Sequence, residues 1–193
     1  MFTIGYATKP IDHYIRQLHQ YQVDVVADIR SVPFSKAFFD YHQDALRRHL
    51  ADAGLRYVHL GPELGPRSQD PDHYDAGGQV QFQRLMQSKL FQAGLDRLFD
   101  GVEKGYTIAM TCACKDPAIC HRSLLVGWAL RRQRGCDVRH ILHDGNIELQ
   151  SELETRLLTE TNTVADMFTG ESGALELAYE RQCLTCAYRR PTG

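Results

Sequence analysis

From Met110 to Ser123 the chain reads Met-Thr-Cys-Ala-Cys-Lys-Asp-Pro-Ala-Ile-Cys-His-Arg-Ser, between a strand-like run, Thr107 to Thr111, and an apolar run, Leu124 to Leu130. A strand that leaves through a loop into a helix is the repeating unit of a parallel sheet, and such loops emerge at the carboxyl edge, where open α/β folds bind their ligands. This loop holds Cys112, Cys114 and Cys120 together with Lys115, Asp116, His121 and Arg122. Pro117 to Ser123 is expected to start a helix whose free N–H groups favour an anion, and Arg122 would add a two-pronged donor. An anion or a metal is the first ligand such a loop suggests.

The rest of the chain repeats that order. Phe2–Gly5 reads as a buried strand, Tyr6 to Pro10 as a turn, and Ile11 to Tyr21 as a helix, with Tyr14, Ile15 and Leu18 at helical spacing. Val23 to Arg30 is apolar almost throughout, as a central parallel strand must be. A helix over Asp40 to Ala53, closed by Gly54, leads to a third strand, Leu55 to Leu60. Gly61 to Gly78 shifts to Gly, Pro, Asp and Ser, a long aperiodic segment of the kind that carries function. Phe82 to Glu103 reads as helix with a break near Gly94, and Asp137 to Leu142 as the fifth strand. Past Asp144-Gly145 come a helix, Glu148 to Thr161, a weak stretch, Thr163 to Gly173, and a short helix, Ala174 to Gln182. The fold class expected is α/β, a Rossmann-like, doubly wound, mainly parallel sheet of about five strands. Residues 1–145 would form that domain and residues 146–193 a helical C-terminal extension packed on it.

With 193 residues, 43% of them hydrophobic, the chain can bury one substantial core without disulfides. Its 22 basic and 24 acidic residues give a net charge of −2, so no global field draws it to duplex nucleic acid or an anionic membrane. No basic leader and no apolar run of membrane-spanning length is found, and a cytoplasmic location is expected. In a reducing compartment the six cysteines read as thiols, metal ligands or redox groups.

Asp28 and Arg30 stand at i and i+2 on one face of a strand end, with Ser31 and Ser35 following. They form either a ligand-holding pair or a strand-terminal salt bridge. Cys120-His-Arg-Ser123 offers an N-cap, a proton carrier and an anion fork, or else a small buried residue, Cys120, beside a solvated one, His121. A thiol, a loop, an arginine and a helix evoke thiol phosphatases and sulfurtransferases. The phosphatase spacing C-x5-R is not met, because nine residues separate Cys112 from Arg122 and seven separate Cys114 from it. Walker, GxGxxG, HExxH and GxSxG motifs are absent. Cys183-Leu-Thr-Cys186 has the gap of a metal knuckle, so four of Cys112, Cys114, Cys120, Cys183 and Cys186 are candidate ligands for zinc or an iron–sulfur cluster. Cys136 reads as structural.

Several segments together, Thr3-Ile-Gly-Tyr, Asp28-Ile-Arg-Ser-Val-Pro-Phe-Ser35, Leu60-Gly-Pro-Glu-Leu-Gly65, Cys112 with Cys120-His-Arg, and Ala178-Tyr-Glu-Arg-Gln with Ala187-Tyr-Arg, resemble the domain-of-unknown-function 488 family over nearly the whole chain. The resemblance implies a Rossmann-like domain with Asp28, Arg30, Ser31, Cys112, His121 and Arg122 at one pocket, and brings no established reaction. The chain departs from the family pattern at Cys114, where an acidic residue is common, and at Cys183 and Cys186. All three departures are cysteines, which favours a metal site.

The leading expectation is a protein with a polar, anion-binding pocket at the carboxyl edge of the sheet, read as an enzyme acting on a nucleotide-like or nucleic-acid-derived phosphate ligand, with a phosphate-bearing small molecule as its partner. Arg30, Ser31, Ser35 and Arg122 would bind it, Asp28 or His121 would move a proton, and Cys112 would be a nucleophile or a wall residue. The rival is a non-enzymatic binding module with a thiolate metal site.

Overall fold

Short, nearly all-apolar runs form the centre of the molecule. The computed structural model describes residues 1–35, 37–165 and 170–191. Its strands are β1 (Phe2–Gly5), β2 (Val25–Asp28), β3 (Arg56–His59), β4 (Ile108–Cys112), β5 (Arg139–Ile141) and β6 (Ile147–Leu149), ordered β3-β2-β4-β1-β5-β6. The first five are parallel, and β6 runs antiparallel to β5. β1, β2 and β4 are buried at every residue, whereas β3, at an edge, is not. This is the inner-strand pattern of a sheet covered on both faces.

Alternation along the strands sends residues to two cores. Helices α1 (Ile11–Gln20) and α2 (Gln43–Asp52) place Tyr14, Leu18, Leu46 and Leu50 against Phe2, Ile4, Val26 and Ala109. The chain continues through α3 (Gly61–Leu64), α4 (Phe82–Met86), α5 (Lys89–Glu103), α6 (Trp128–Arg134), α7 (Gln150–Glu160) and α8 (Gly170–Cys186). On the second face Phe91, Leu95, Leu130, Leu153 and Tyr179 pack with Ala27, Met110 and Val138. The doubly wound α/β expectation is met.

Details differ. The sheet gains a sixth strand, because Ile147–Leu149 pairs with β5 before α7 begins; residue 145 is therefore a turn inside the sheet. The helix expected over Phe82 to Glu103 breaks at Gln87-Ser88, where Ser88 Oγ caps Phe91 N at 3.2 Å. Gly94 is instead mid-helix, a close-approach position where a Cβ would crowd Glu63 and Leu64. The helix expected from Asp40 starts as a short 3-10 turn, Phe39–Tyr41, before α2. Of the weak stretch from Thr163, residues 166–169 lie outside the described residues, and α8 starts at Gly170.

The C-terminal helices are keyed to the sheet by buried polar contacts. Thr3 Oγ1 lies 2.7 Å from His140 Nδ1, and His140 Nε2 2.8 Å from Gln150 Oε1. Gln150 Nε2 donates to Tyr179 Oη (2.6 Å), which donates to Glu154 (3.1 Å). Trp128 stacks on the Tyr179 ring with centroids 4.2 Å apart.

Candidate thiol-lined site

From β1 the chain turns to one face of the sheet and from β4 to the other, so the switch point falls between these neighbours, where Gly5 is in register with Cys112. At Gly5 a Cβ would clash with the Cys114 carbonyl and the Arg122 guanidinium. The missing side chain lets the cysteine loop drop into the crevice.

Cys112, ending β4, and Cys120 are buried, with sulfurs 2.9 Å apart. Half-buried Cys114 joins them, and the three sulfurs lie within 4.8 Å of one another. Arg122, fully buried, donates through one terminal nitrogen to Cys112 Sγ (3.1 Å) and the Cys114 carbonyl (2.6 Å), and through the other to the Lys115 carbonyl (3.0 Å). Its Nε has no partner, and no carboxylate among the described residues pairs with it. Burial opposes ionisation of Cys120, but hydrogen bonds from Cys112 and Cys114 and the Arg122 charge outweigh it and hold this thiol well below its ordinary range. Cys114 is pushed the other way, chiefly by its hydrogen bonds to Cys112 and Cys120.

His121 Nε2 lies 3.0 Å from the Ile29 carbonyl, and Nδ1 3.8 Å from Cys120 Sγ. A carbonyl only accepts, so Nε2 carries the proton and Nδ1 of the neutral ring is a free base. Burial lowers the His121 pKa and favours that neutral form. Lys9 is also buried, donating to Gln17 (2.5 Å) and the Leu142 carbonyl (3.3 Å); burial, then the Arg122 charge, lowers its pKa to about 8.

The Asp28 and Arg30 pair is a buried two-pronged salt bridge, with Nε to Oδ1 at 2.8 Å and a terminal nitrogen to Oδ2 at 2.6 Å. Tyr57 Oη also donates to Asp28 (2.9 Å), and the other terminal nitrogen of Arg30 reaches the Tyr41 carbonyl (2.8 Å) and Tyr6 Oη (3.2 Å).

In front of the thiols opens a cavity of about 340 Å³, walled by Tyr6, Arg30, Ser31, Cys114, His121 and Cys186 among others. Arg30 touches it with its nitrogens already engaged, and Arg122 does not reach it. The expected helix start at Pro117 is a 3-10 turn, Pro117–Ile119, whose Ala118 N–H is taken by Asp116 (2.9 Å). Ser31 lines the cavity and accepts from Arg67 N (2.9 Å), whereas Ser35 stands off it, capping Phe38 N (3.1 Å). Of the five candidate metal ligands, Cys112, Cys114 and Cys120 are gathered; Cys183 and Cys186 sit on α8 outside the cluster, Cys186 Sγ bonded to the Gln182 carbonyl at 3.1 Å. Sequence reading missed Gly5, Tyr6, Tyr57 and Lys9. Gly5 and Tyr6 stand in the Thr3-Ile-Gly-Tyr segment that carries the family resemblance, and a glycine ending a buried strand is a signal of close approach.

Fold and site together define an α/β protein with a cysteine cluster at the switch point of its sheet. A model of the family described as "Domain of unknown function DUF488" matches residues 10–129, and the chain belongs to that family. No curated protein matches it. Among solved structures, a protein of Shewanella putrefaciens CN-32 described as "Putative phosphatase (DUF442)" aligns at 12% identity with a TM-score of 0.38, covering 95% of this chain and 86% of that one. No helix among the described residues is long and apolar enough to cross a membrane.

Proposed function

We propose that this protein is a thiolate-dependent enzyme whose reactive group is the Cys112–Cys120 pair, serving the cavity behind which it lies, and that its substrate is a phosphate-bearing small molecule. The observation that carries this reading is the charge of Arg122: a buried guanidinium needs a compensating anion, and the groups it touches are a cysteine sulfur and two carbonyls. A thiolate is the one anion these neighbours can supply. His121 Nδ1, unprotonated in the neutral ring, faces Cys120 Sγ as a hydrogen-bond acceptor. Arg30, held by Asp28, acts as a fixed wall of the cavity and a source of positive potential, not as a free anion fork.

The test is the pH dependence of iodoacetamide alkylation, with the labelled residue located by mass spectrometry. Labelling at Cys120 with an apparent pKa well below the ordinary thiol value of about 8.5 is expected. Labelling that follows the ordinary value would remove the thiolate reading.

A second reading rests on the gathering of Cys112, Cys114 and Cys120. Three soft sulfur donors suit zinc or an iron–sulfur centre. Three thiolates around a dication leave one negative charge, which Arg122 would neutralise, so the donor set fits. A metal here would supply a Lewis acid or a structural tie. Metal analysis of tag-free protein, with its ultraviolet-visible spectrum, decides between the readings: stoichiometric metal favours the centre, and its absence favours free thiols.

A further inference from the structure

Beyond the thiol cavity lies a wider one, about 870 Å³, bounded by the Gly61 to Tyr74 segment and the N-terminus of α5. The two cavities share Ser31, Val32, Arg67 and Tyr188 as lining residues. Between them Arg67 lies over the Tyr188 ring, 4.8 Å from its centroid. Tyr188 is held there by the chain end, where its carbonyl accepts from Val80 N (2.9 Å) and Arg190 N donates to the Gly78 carbonyl (2.9 Å).

The charges of the wider cavity do not balance. Of its two carboxylates, Glu63 pairs with Arg97, and Asp70, more than half exposed, caps the Asp72 N–H at 2.9 Å, so three cations face one carboxylate without an arginine of its own. Its three cations, Arg67, Lys89 and Arg190, have no carboxylate partner among the described residues; Arg190 stacks on Tyr74 and donates to the Ser68 carbonyl at 3.3 Å. Lys89 opens the fifteen-residue α5, whose first N–H groups have no intrahelical acceptor, and Ser88 Oγ takes only that of Phe91. The surplus positive charge and the helix dipole therefore meet on one wall.

We propose that this wider cavity is the subsite for the phosphate group of the substrate, and that the substrate spans the Arg67–Tyr188 partition to bring its reacting end to the wall formed by Cys114 and His121, behind which the Cys112–Cys120 pair lies. The inference rests on the functional reading above in taking the thiol cavity as the reacting end; the phosphate subsite itself is tested without the thiols. It also moves the anion away from Arg30, whose nitrogens are already engaged, and from Arg122, which does not line either cavity, to cations with no carboxylate partner among the described residues.

The experiment is calorimetric titration of the full chain with inorganic phosphate at low ionic strength, for the wild type, Lys89→Glu and Cys112→Ser. Lys89 is exposed, and an acidic residue at a helix start is favourable, so Lys89→Glu is expected to keep the wild-type circular dichroism spectrum. Measurable binding, weakened roughly tenfold or more by Lys89→Glu and unchanged by Cys112→Ser, is the expected result. Absence of binding, or binding indifferent to Lys89→Glu, overturns the subsite. Loss of binding in Cys112→Ser alone places the anion at the thiols and also overturns it. Failure of the thiolate reading shows separately, in the alkylation profile.

Discussion

Arg122 donates to the sulfur of Cys112 across 3.1 Å, inside the protein, at a point no carboxylate among the described residues reaches. The guanidinium and the sulfur pair therefore depend on each other: the Arg122 charge helps hold Cys120 well below the ordinary thiol range, and the sulfurs are the groups beside Arg122 that can carry a compensating charge.

Replacing Arg122 with Met should raise the apparent thiol pKa towards its ordinary value and cost about 3–5 kcal/mol of stability, the range for breaking a buried charge pair. Arg122→Lys should retain part of the shift. The alkylation profile and a denaturant melt measure both effects, and an unaltered profile in Arg122→Met would show that the charge is not what ionises the thiols.

Asp28 is the partner that makes Arg30 admissible in the interior. Asp28→Asn should lower the melting temperature by about 10 °C. The double change Asp28→Leu with Arg30→Met should regain most of that loss, since an apolar pair replaces a charged one without leaving an orphan. Calorimetry of the single and double variants is the check, and additive losses would count against the pairing.

Gly5→Ala puts a methyl group where the Cys114 carbonyl and the Arg122 guanidinium now lie. The loop must lift, so the variant should keep its secondary structure by circular dichroism yet lose the low-pKa thiol. Retention of the wild-type alkylation rate at pH 6 would show that the crevice can accommodate a side chain.

Acid should destabilise the fold through His140. Its pKa is lowered by burial to about 3, so between that value and the unfolded value of about 6.5 the unfolded chain binds more protons. Stability from this group is complete above about pH 6.5 and is lost as the pH falls towards 3. Glu154, raised by burial, works in the opposite sense by taking up a proton in the folded state first. A His140→Gln variant should therefore show a flatter dependence of unfolding free energy on pH below 6 than the wild type; identical slopes would exclude His140 as the acid-sensitive group.

Much of the architecture is legible along the chain because a strand or helix declares its buried face through the spacing of its own residues. Val23 to Arg30 and Thr107 to Thr111 announce themselves as inner strands by nearly continuous apolar character, and the bounds of β2 and β4 fall within a few residues of that reading. The short β6 carries no such pattern: Ile147, Glu148 and Leu149 are all half-buried, and pairing with β5 alone makes them a strand. At Gly94 the breaker residue misled, since glycine there serves a close helix approach, and Ser88, a cap, marks the true boundary.

The sequence by itself determined the alternating α/β plan, the family, and the gathering of Cys112, Cys120, His121 and Arg122 in one loop at the carboxyl edge of the sheet. Only the tertiary structure decided which way those side chains turn. Arg122 points inward because Gly5, on a neighbouring strand 117 positions earlier in the chain, leaves room for it. Asp28 and Arg30 became a closed pair because Tyr57, Tyr41 and Tyr6, from three other segments, complete their hydrogen bonds. Cys183 and Cys186 stayed outside the thiol cluster because α8 docks through Tyr179 and Gln182, the latter donating to the Ala118 carbonyl at 2.8 Å. Local periodicity fixes the face a residue occupies, but the partner of a charged or sulfur-bearing side chain is set by contacts between distant segments, and those exist only once the sheet has closed its crevice.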